Sequence, residues 1–400
     1  MAGWKKVIAE TVNNAEDQFD LLKYRLRERL GGRSPISILP YRGYGRPERL
    51  YLKGRVLEER GISAAGDNDS LWDNLLNMYK RFKSNEIPQA KLIVRFQGAV
   101  HEVSSDLEGY FEAWVEPVQP IQAEGEWVRL DLELLHPIRE GHSPARAQGQ
   151  VLLPPSTARF GVISDIDDTV VRTDASNLLR MARTVFLGNA RTRLPFPGVA
   201  AFYRVLRDGK GNDGNPLFFV SSSPWNLYDL LEEFFEVENI PAEHVIFLRD
   251  WGLSESELLP TRHSTFKSQV IQDILDFYPE LPFILIGDSG QEDPEIYSQI
   301  VEKYPQRILA VYIRDVSRDP ERDEQVERMG GQIQVAGSRL VLAGDTSPMA
   351  EDALNQGWVT PDALAEIRQE KALDEAAPSL MEILLAEEDG EDPVGRISLD

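Results

Sequence analysis

From residue 160 onward, short apolar runs alternate with stretches of helical period. The runs are Phe160–Ser164, Leu217–Val220, Val245–Leu248, Phe283–Ile286 and Ile308–Ile313. Runs of strand length without polar alternation suit strands covered on both faces, as in a parallel sheet. With helices between them they predict a doubly wound, five-stranded parallel α/β sheet over 156–345. Upstream the period changes to two. Leu92, Val94 and Phe96 alternate with Ile93 and Arg95, and Val128, Leu130, Leu132 and Leu134 alternate with Arg129, Asp131 and Glu133. Tyr110–Val115 is aromatic and β-branched. This pattern, with Gly and Pro between runs, predicts a small antiparallel β-sandwich over 34–155, interrupted by a short helix near Leu71–Lys83.

Ahead of it, Trp4, Ile8, Val12, Ala15, Phe19, Leu22, Leu26 and Leu30 recur every three or four residues, and Gly31-Gly32 follows. That is an amphipathic helix over 1–33 with a stop signal. Lys23, Arg25, Arg27 and Arg29 crowd its end, so it suits either packing on a domain or lying on a membrane surface. Gln332–Leu342 reads as a hairpin closing the α/β domain. Beyond 345 come two short helical patterns and the run Glu387-Glu388-Asp389-Gly390-Glu391-Asp392, giving a partly disordered acidic tail over 346–400.

Charge narrows the range of functions. The net charge is -23, and residues 351–400 carry 14 acidic against 3 basic side chains. A body this acidic lacks the positive footprint of a nucleic-acid binder. The first 60 residues reverse the balance, with 13 basic against 8 acidic side chains. Peripheral membrane contact is therefore expected only through residues 1–33. There is no Cys, so disulfides and thiolate metal sites are excluded and a reducing compartment fits. No apolar run approaches the roughly 20 residues of a membrane span, and the N-terminus turns polar too early for a secretory signal. The expectation is a cytoplasmic protein, peripheral at membranes if the N-terminal helix leads.

Candidate chemistry gathers where apolar runs end. Ser164-Asp165-Ile166-Asp167-Asp168-Thr169 follows the first run directly. Three acids in four residues repel one another, and a cation relieves them. Ser221-Ser222-Ser223 follows Leu217–Val220, where a hydroxyl can hold a phosphoryl oxygen, although such serines also cap helices. Lys267 opens a helical pattern. Gly287-Asp288 follows Phe283–Ile286 and leads to Glu292 and Asp293, acids beside a Gly turn that suit a hard cation. The five His residues are scattered and make no zinc pattern.

The order acid-x-acid-x-Thr, hydroxyl, Lys, then Gly-Asp with a later acid resembles the four-motif pattern of the haloacid-dehalogenase superfamily over about 160 residues. The resemblance implies a haloacid-dehalogenase-like Rossmannoid fold and a magnesium-dependent two-step displacement. Asp165 would be the nucleophile and Asp167 the general acid and then base, with Thr169 shaping the loop. Ser221, first of its three serines, would bind the phosphoryl group and Lys267 would neutralise charge. Asp288 and Asp293 (or Glu292) would hold magnesium together with Asp165 and the Asp167 carbonyl. More closely, Ser164–Val171, Ser221–Asn226, Ser264–Lys267 and Gly287–Tyr297 resemble the phosphatidate phosphatase family of the fungal actin-patch protein. That resemblance implies release of phosphate from phosphatidate to give diacylglycerol.

The gaps between motifs hold no full cap domain, and an open site suits a large or surface-bound phosphate ester. Phe186, Leu187, Leu194, Phe196 and Trp225 could line an apolar rim. A phosphoprotein is the competing substrate class. A non-catalytic binding module is the competing function, disfavoured because such a module has no use for clustered acids.

Overall fold

The computed structural model describes residues 34–58, 85–122, 127–139, 141–170, 196–249, 263–317 and 319–376. The helices expected over 1–33 and near 71–83, and the acidic run at 387–392, lie outside these residues. The described residues fall into two compact units. One lies within Met1–Gly161, Gly214–Asp229 and Glu243–Leu281, the other within Val162–Asp213, Leu230–Ala242 and Pro282–Asp400.

The first unit contains nine N-terminal strands: β1 (Ile36–Pro40), β2 (Gly43–Arg46), β3 (Arg49–Glu58), β4 (Asn85–Glu86), β5 (Lys91–Phe96), β6 (Ala99–Ser104), β7 (Tyr110–Val115), β8 (Trp127–His136) and β9 (Arg146–Leu152). Hydrogen bonds join all nine into a single sheet, which curls so that β6 and β7 pack together. Its order is β1-β3-β2-β9-β8-β5-β6, with β4 and β7 also paired to β3. The ten-residue β3 is long enough to serve both edges twice. Residues 54–58 pair with β1 and 49–51 with β2, while 50–55 pair with β7 and 57–58 with β4. Period-two patterning buries one face: Leu130, Leu132 and Leu134 of β8 join Leu92 and Val94 of β5 in the core, while Arg129 and Asp131 face solvent. Each such side chain contributes about 2 kcal/mol by leaving water.

The remaining strands are parallel: β10 (Gly161–Asp165), β11 (Leu217–Pro224), β12 (His244–Arg249), β13 (Phe283–Asp288), β14 (Ile308–Arg314) and β15 (Leu340–Ala343), in the order β12-β11-β10-β13-β14-β15. Their helices are α1 (Val199–Asp208), α2 (Tyr228–Val237), α3 (His263–Phe277), α4 (Asp293–Lys303), α5 (Pro320–Val335), α6 (Thr346–Asn355) and α7 (Pro361–Ala376). The sheet thus has six strands where five were expected. The hairpin expected at 332–342 does not form. Asp319 caps α5 by accepting from the Glu321 N–H, Val326 and Ile333 bury one face, and the helix runs on to Val335. Only Leu340–Ala343 is left as strand, and it pairs in parallel with β14.

Two helices occupy the region expected to be acidic tail, and α7 has a structural task. Helix α1 starts at Gly198, which offers no side chain to its free N–H groups. Acids of α7 supply them instead: Asp374 accepts from the Gly198 N–H at 2.8 Å and Glu370 from the Ala201 N–H at 2.7 Å. Negative charge at a helix N-terminus is favourable. Asp374 also faces Glu238, just past α2. Burial first, and then Asp374, raises the Glu238 carboxyl to about 7. A carboxyl whose folded-state pKa exceeds its unfolded value destabilises the fold when ionised. Stability should therefore fall as pH rises from about 4.5 to 7, and Glu238→Gln should remove that slope. After allowance for solvent screening, the variant should gain about 1–2 kcal/mol above pH 7 and nothing near pH 4. Urea unfolding at several pH values checks this; an unchanged slope would refute it.

Candidate active site

Three acids converge in the second unit. Asp165 ends β10, Asp288 ends β13 and Asp293 opens α4. One oxygen from each lies within 4.8 Å of the others, and the three residues are 1, 0 and 0 % exposed. Carboxylates this close and this dry repel strongly, and a divalent cation with oxygen preference fits that donor set. Glu292, the competing outer acid, is exposed and stands at the N-cap of α4.

Local chemistry sets each position. Asp288 Oδ1 accepts from the Gly290 and Gln291 N–H groups at 2.7 and 2.9 Å, which closes the turn after β13. Asp293 Oδ2 accepts from the Asp288 N–H at 3.2 Å. This approach requires Gly287: a Cβ there would meet Asp293 Oδ2 at 2.5 Å. The Tyr297 hydroxyl donates to the Ile286 carbonyl at 2.8 Å. Burial, then Asp293, Asp165 and Asp288, push its pKa well above the ordinary phenol value, so it stays neutral.

The loop after β10 turns at Asp168, whose φ of 57° is left-handed, a conformation Asp tolerates better than most residues. Thr169 is buried, with its hydroxyl 3.5 Å from Asp165 Oδ2. The Asp167 carbonyl accepts from Gln291 Nε2 at 3.3 Å, and the Asp167 side chain is half-buried rather than part of the triad. Arg314, at the end of β14, is buried; its Nε donates to the Thr169 carbonyl at 3.1 Å and its guanidinium lies 4.0 Å from the Phe196 ring centroid.

Ser221 and Lys267 belong to the first unit. Ser221 lies in β11, fully buried, and its hydroxyl accepts from the Ser223 N–H at 3.0 Å. Lys267, near the start of α3, is 3 % exposed, whereas a lysine on a helix is ordinarily solvated. The segment following Ser221 is gripped by residues of the N-terminal strands and the turn after β1. Tyr41 stacks on Trp225 at 4.9 Å, and Arg55 Nη1 and the Tyr110 hydroxyl both donate to Asn226 Oδ1, at 2.9 and 2.8 Å. The apolar rim expected of Phe196 and Trp225 is therefore corrected: both are buried, one under Arg314 and the other between Tyr41 and Tyr228. Phe186, Leu187 and Leu194 lie outside the described residues.

Sequence reasoning passed over Arg314, Gln291 and the close approach at Gly287. Arg314 had a signal, a polar residue ending an apolar strand; Gln291 stood inside the quoted motif with no role given to it.

The class of protein this site suggests has a counterpart among known families. Residues 160–315 match the family described as phosphatidate phosphatase APP1, catalytic domain, a span that includes all seven expected site residues. The chain is 33% identical over 213 residues to phosphatidate phosphatase APP1 of Saccharomyces cerevisiae, covering 52% of this chain and 35% of that protein. It is 32% identical over 161 residues to an uncharacterized protein of Schizosaccharomyces pombe, covering 40% and 26%. The chain thus spans about a third or less of the length of these relatives. Among solved structures, a carbohydrate acetylesterase from Xanthomonas citri gives a TM-score of 0.23 at 11% identity, covering 76% of this chain and 66% of that one. A likeness so remote defines neither fold nor function. Among the described residues, no helix is long and apolar enough to cross a membrane.

Proposed function

We propose that this chain is a magnesium-dependent phosphatase of the haloacid-dehalogenase type, acting on phosphatidate through an aspartyl-phosphate. The observation that carries the reading is the buried triad Asp165, Asp288 and Asp293 within the span matching a phosphatidate phosphatase catalytic domain. Asp165, Asp288, Asp293 and the Asp167 carbonyl would hold magnesium, which supplies positive charge to the triad and to the phosphoryl oxygens when bound.

In the first step an Asp165 oxygen attacks phosphorus. The bond from phosphorus to the glycerol oxygen breaks, and the Asp167 carboxyl gives its proton to that oxygen, releasing diacylglycerol. In the second step the Asp167 carboxylate takes a proton from water. The resulting hydroxide attacks phosphorus, the bond to Asp165 breaks, and phosphate leaves with Asp165 restored. Half-burial of Asp167 suits a group that must exchange protons with water, whereas the buried Asp165 suits a nucleophile shielded from it. Thr169 and Arg314 hold the turn that carries Asp167. Ser221 would bind the transferring group and Lys267 would offset its charge, roles that explain why a lysine is buried.

Phosphate release from phosphatidate in mixed micelles, with and without magnesium, tests the reading. The expected result is magnesium-dependent release that follows the surface fraction of phosphatidate. Hydrolysis of a soluble aryl phosphate without release from phosphatidate would move the substrate class to phosphoproteins or other phosphate esters. No hydrolysis of either would overturn the enzyme.

A further inference from the structure

The loop that carries Asp288 and Asp293 is fastened from outside the span matched by the catalytic-domain family. Arg322 lies in the first turn of α5, seven residues past that span. Its Nε donates to the Ser289 carbonyl at 2.7 Å and its Nη2 to the Gln291 carbonyl at 2.6 Å. The fork also engages Glu295 through both terminal nitrogens, Nη2 reaching Glu295 Oε2 at 2.9 Å. One planar cation thus joins both sides of the turn after Asp288 to the first turn of α4, which begins at Asp293.

We propose that Arg322 is a positioning residue for the cation site, setting the separation of Asp288 and Asp293 through the main chain of residues 289–291. The inference rests on the reading of the acidic triad as a cation site. The chemistry favours arginine. Two carbonyls and a carboxylate around one plane match a guanidinium fork, and a lysine ammonium can serve one of them well but not all three. Gln291 extends the effect, because the main chain that Arg322 holds also carries the side chain donating to the Asp167 carbonyl.

Positioning and plain electrostatics predict opposite signs. A cation near a metal site repels the metal, so if charge alone mattered, Arg322→Met would tighten divalent binding and Arg322→Lys would leave it unchanged. If Arg322 positions the loop, both variants weaken binding, by about 10- to 100-fold, the range seen when groups supporting metal ligands are removed. The measurement is Mn2+ titration by electron paramagnetic resonance, with Mg2+ competition, on the full chain. Wild type, Arg322→Met, Arg322→Lys and Asp288→Asn are compared, and melting in EDTA shows which variants are folded.

Weakened binding in both Arg322 variants supports the proposal, with Lys retaining more affinity than Met. Should either fail to fold, Arg322→Gln, which removes the charge but keeps a donor for one carbonyl, takes its place and is expected to weaken binding as well, where charge alone would tighten it. Unchanged or tighter binding in the folded Arg322 variants overturns the proposal while leaving the cation site intact. Wild type that binds no Mn2+, or binds it equally well with Asp288→Asn, overturns the cation reading itself and the proposal with it.

Discussion

Asp165→Asn should abolish turnover and at the same time make the metal-free protein more stable. On the proposed mechanism the nucleophile is then lost, because an amide cannot form the acyl phosphate, so hydrolysis should fall by about 10⁴-fold or more, as when other enzymes lose theirs. Stability should move the other way. Asp165 is buried with Asp288 and Asp293, one oxygen from each within 4.8 Å, and removing one of three like charges relieves repulsion in a dry site. Asparagine keeps the size and the acceptor oxygen within reach of the Thr169 hydroxyl. The expected gain is about 1–2 kcal/mol in EDTA, shrinking once divalent cation is added to both proteins. Thermal melts with and without magnesium, alongside the phosphate-release assay, read both effects. Loss of activity with loss of stability in EDTA would mean that the triad is not under electrostatic strain.

Gly287→Ala should damage the site almost as severely without altering any charged group. The added methyl would lie 2.5 Å from Asp293 Oδ2, 2.7 Å from Asp293 Cβ and 2.8 Å from the Tyr297 ring. Neither neighbour yields easily. Asp293 is the first residue of α4 and accepts from the Asp288 N–H, and Tyr297 is tied to the Ile286 carbonyl. The clash can be relieved only by moving α4 away from β13, which carries Asp293 off Asp288. Overpacking of this kind costs about 1–3 kcal/mol. A displacement near 1 Å at a catalytic ligand costs about 100-fold in rate. Magnesium affinity should fall together with activity; activity within twofold of wild type would show that the loop adapts.

Much of the site was legible because its chemistry follows strands. In a parallel sheet, loops at the carboxyl ends of the strands are where ligands gather, so an acid directly after an apolar run can be found by eye. Asp165 and Asp288 each had that signal and end β10 and β13, whereas Ser221, expected just beyond its strand, lies inside β11, which runs on to Pro224. Asp293 and Glu292 could not be separated along the chain, because adjacent residues of a helix start differ only in direction. The helix directs Asp293 inward and leaves Glu292 in solvent. The sixth strand was missed because Leu340–Ala343 is short and follows Gly337, a pattern equally suited to a hairpin.

Residue types and their order determined the class of sheet, the strands that bear the chemistry and which acids, hydroxyls and lysine to suspect. Local pattern suffices there because burial on both faces of a strand is written into consecutive residues. Tertiary structure decided what depends on residues distant in sequence. It joined nine strands into one hydrogen-bonded sheet, since a long β3 can pair four times only when its partners arrive from elsewhere in the chain. It assigned Glu370 and Asp374 of the acidic C-terminal region to the N-terminus of α1. It also brought Arg322, one charge in a polar helix of no apparent pattern, onto the carbonyls of the Asp288 loop. A main-chain carbonyl leaves no trace in residue type, so contacts made to it appear only when the chain is folded.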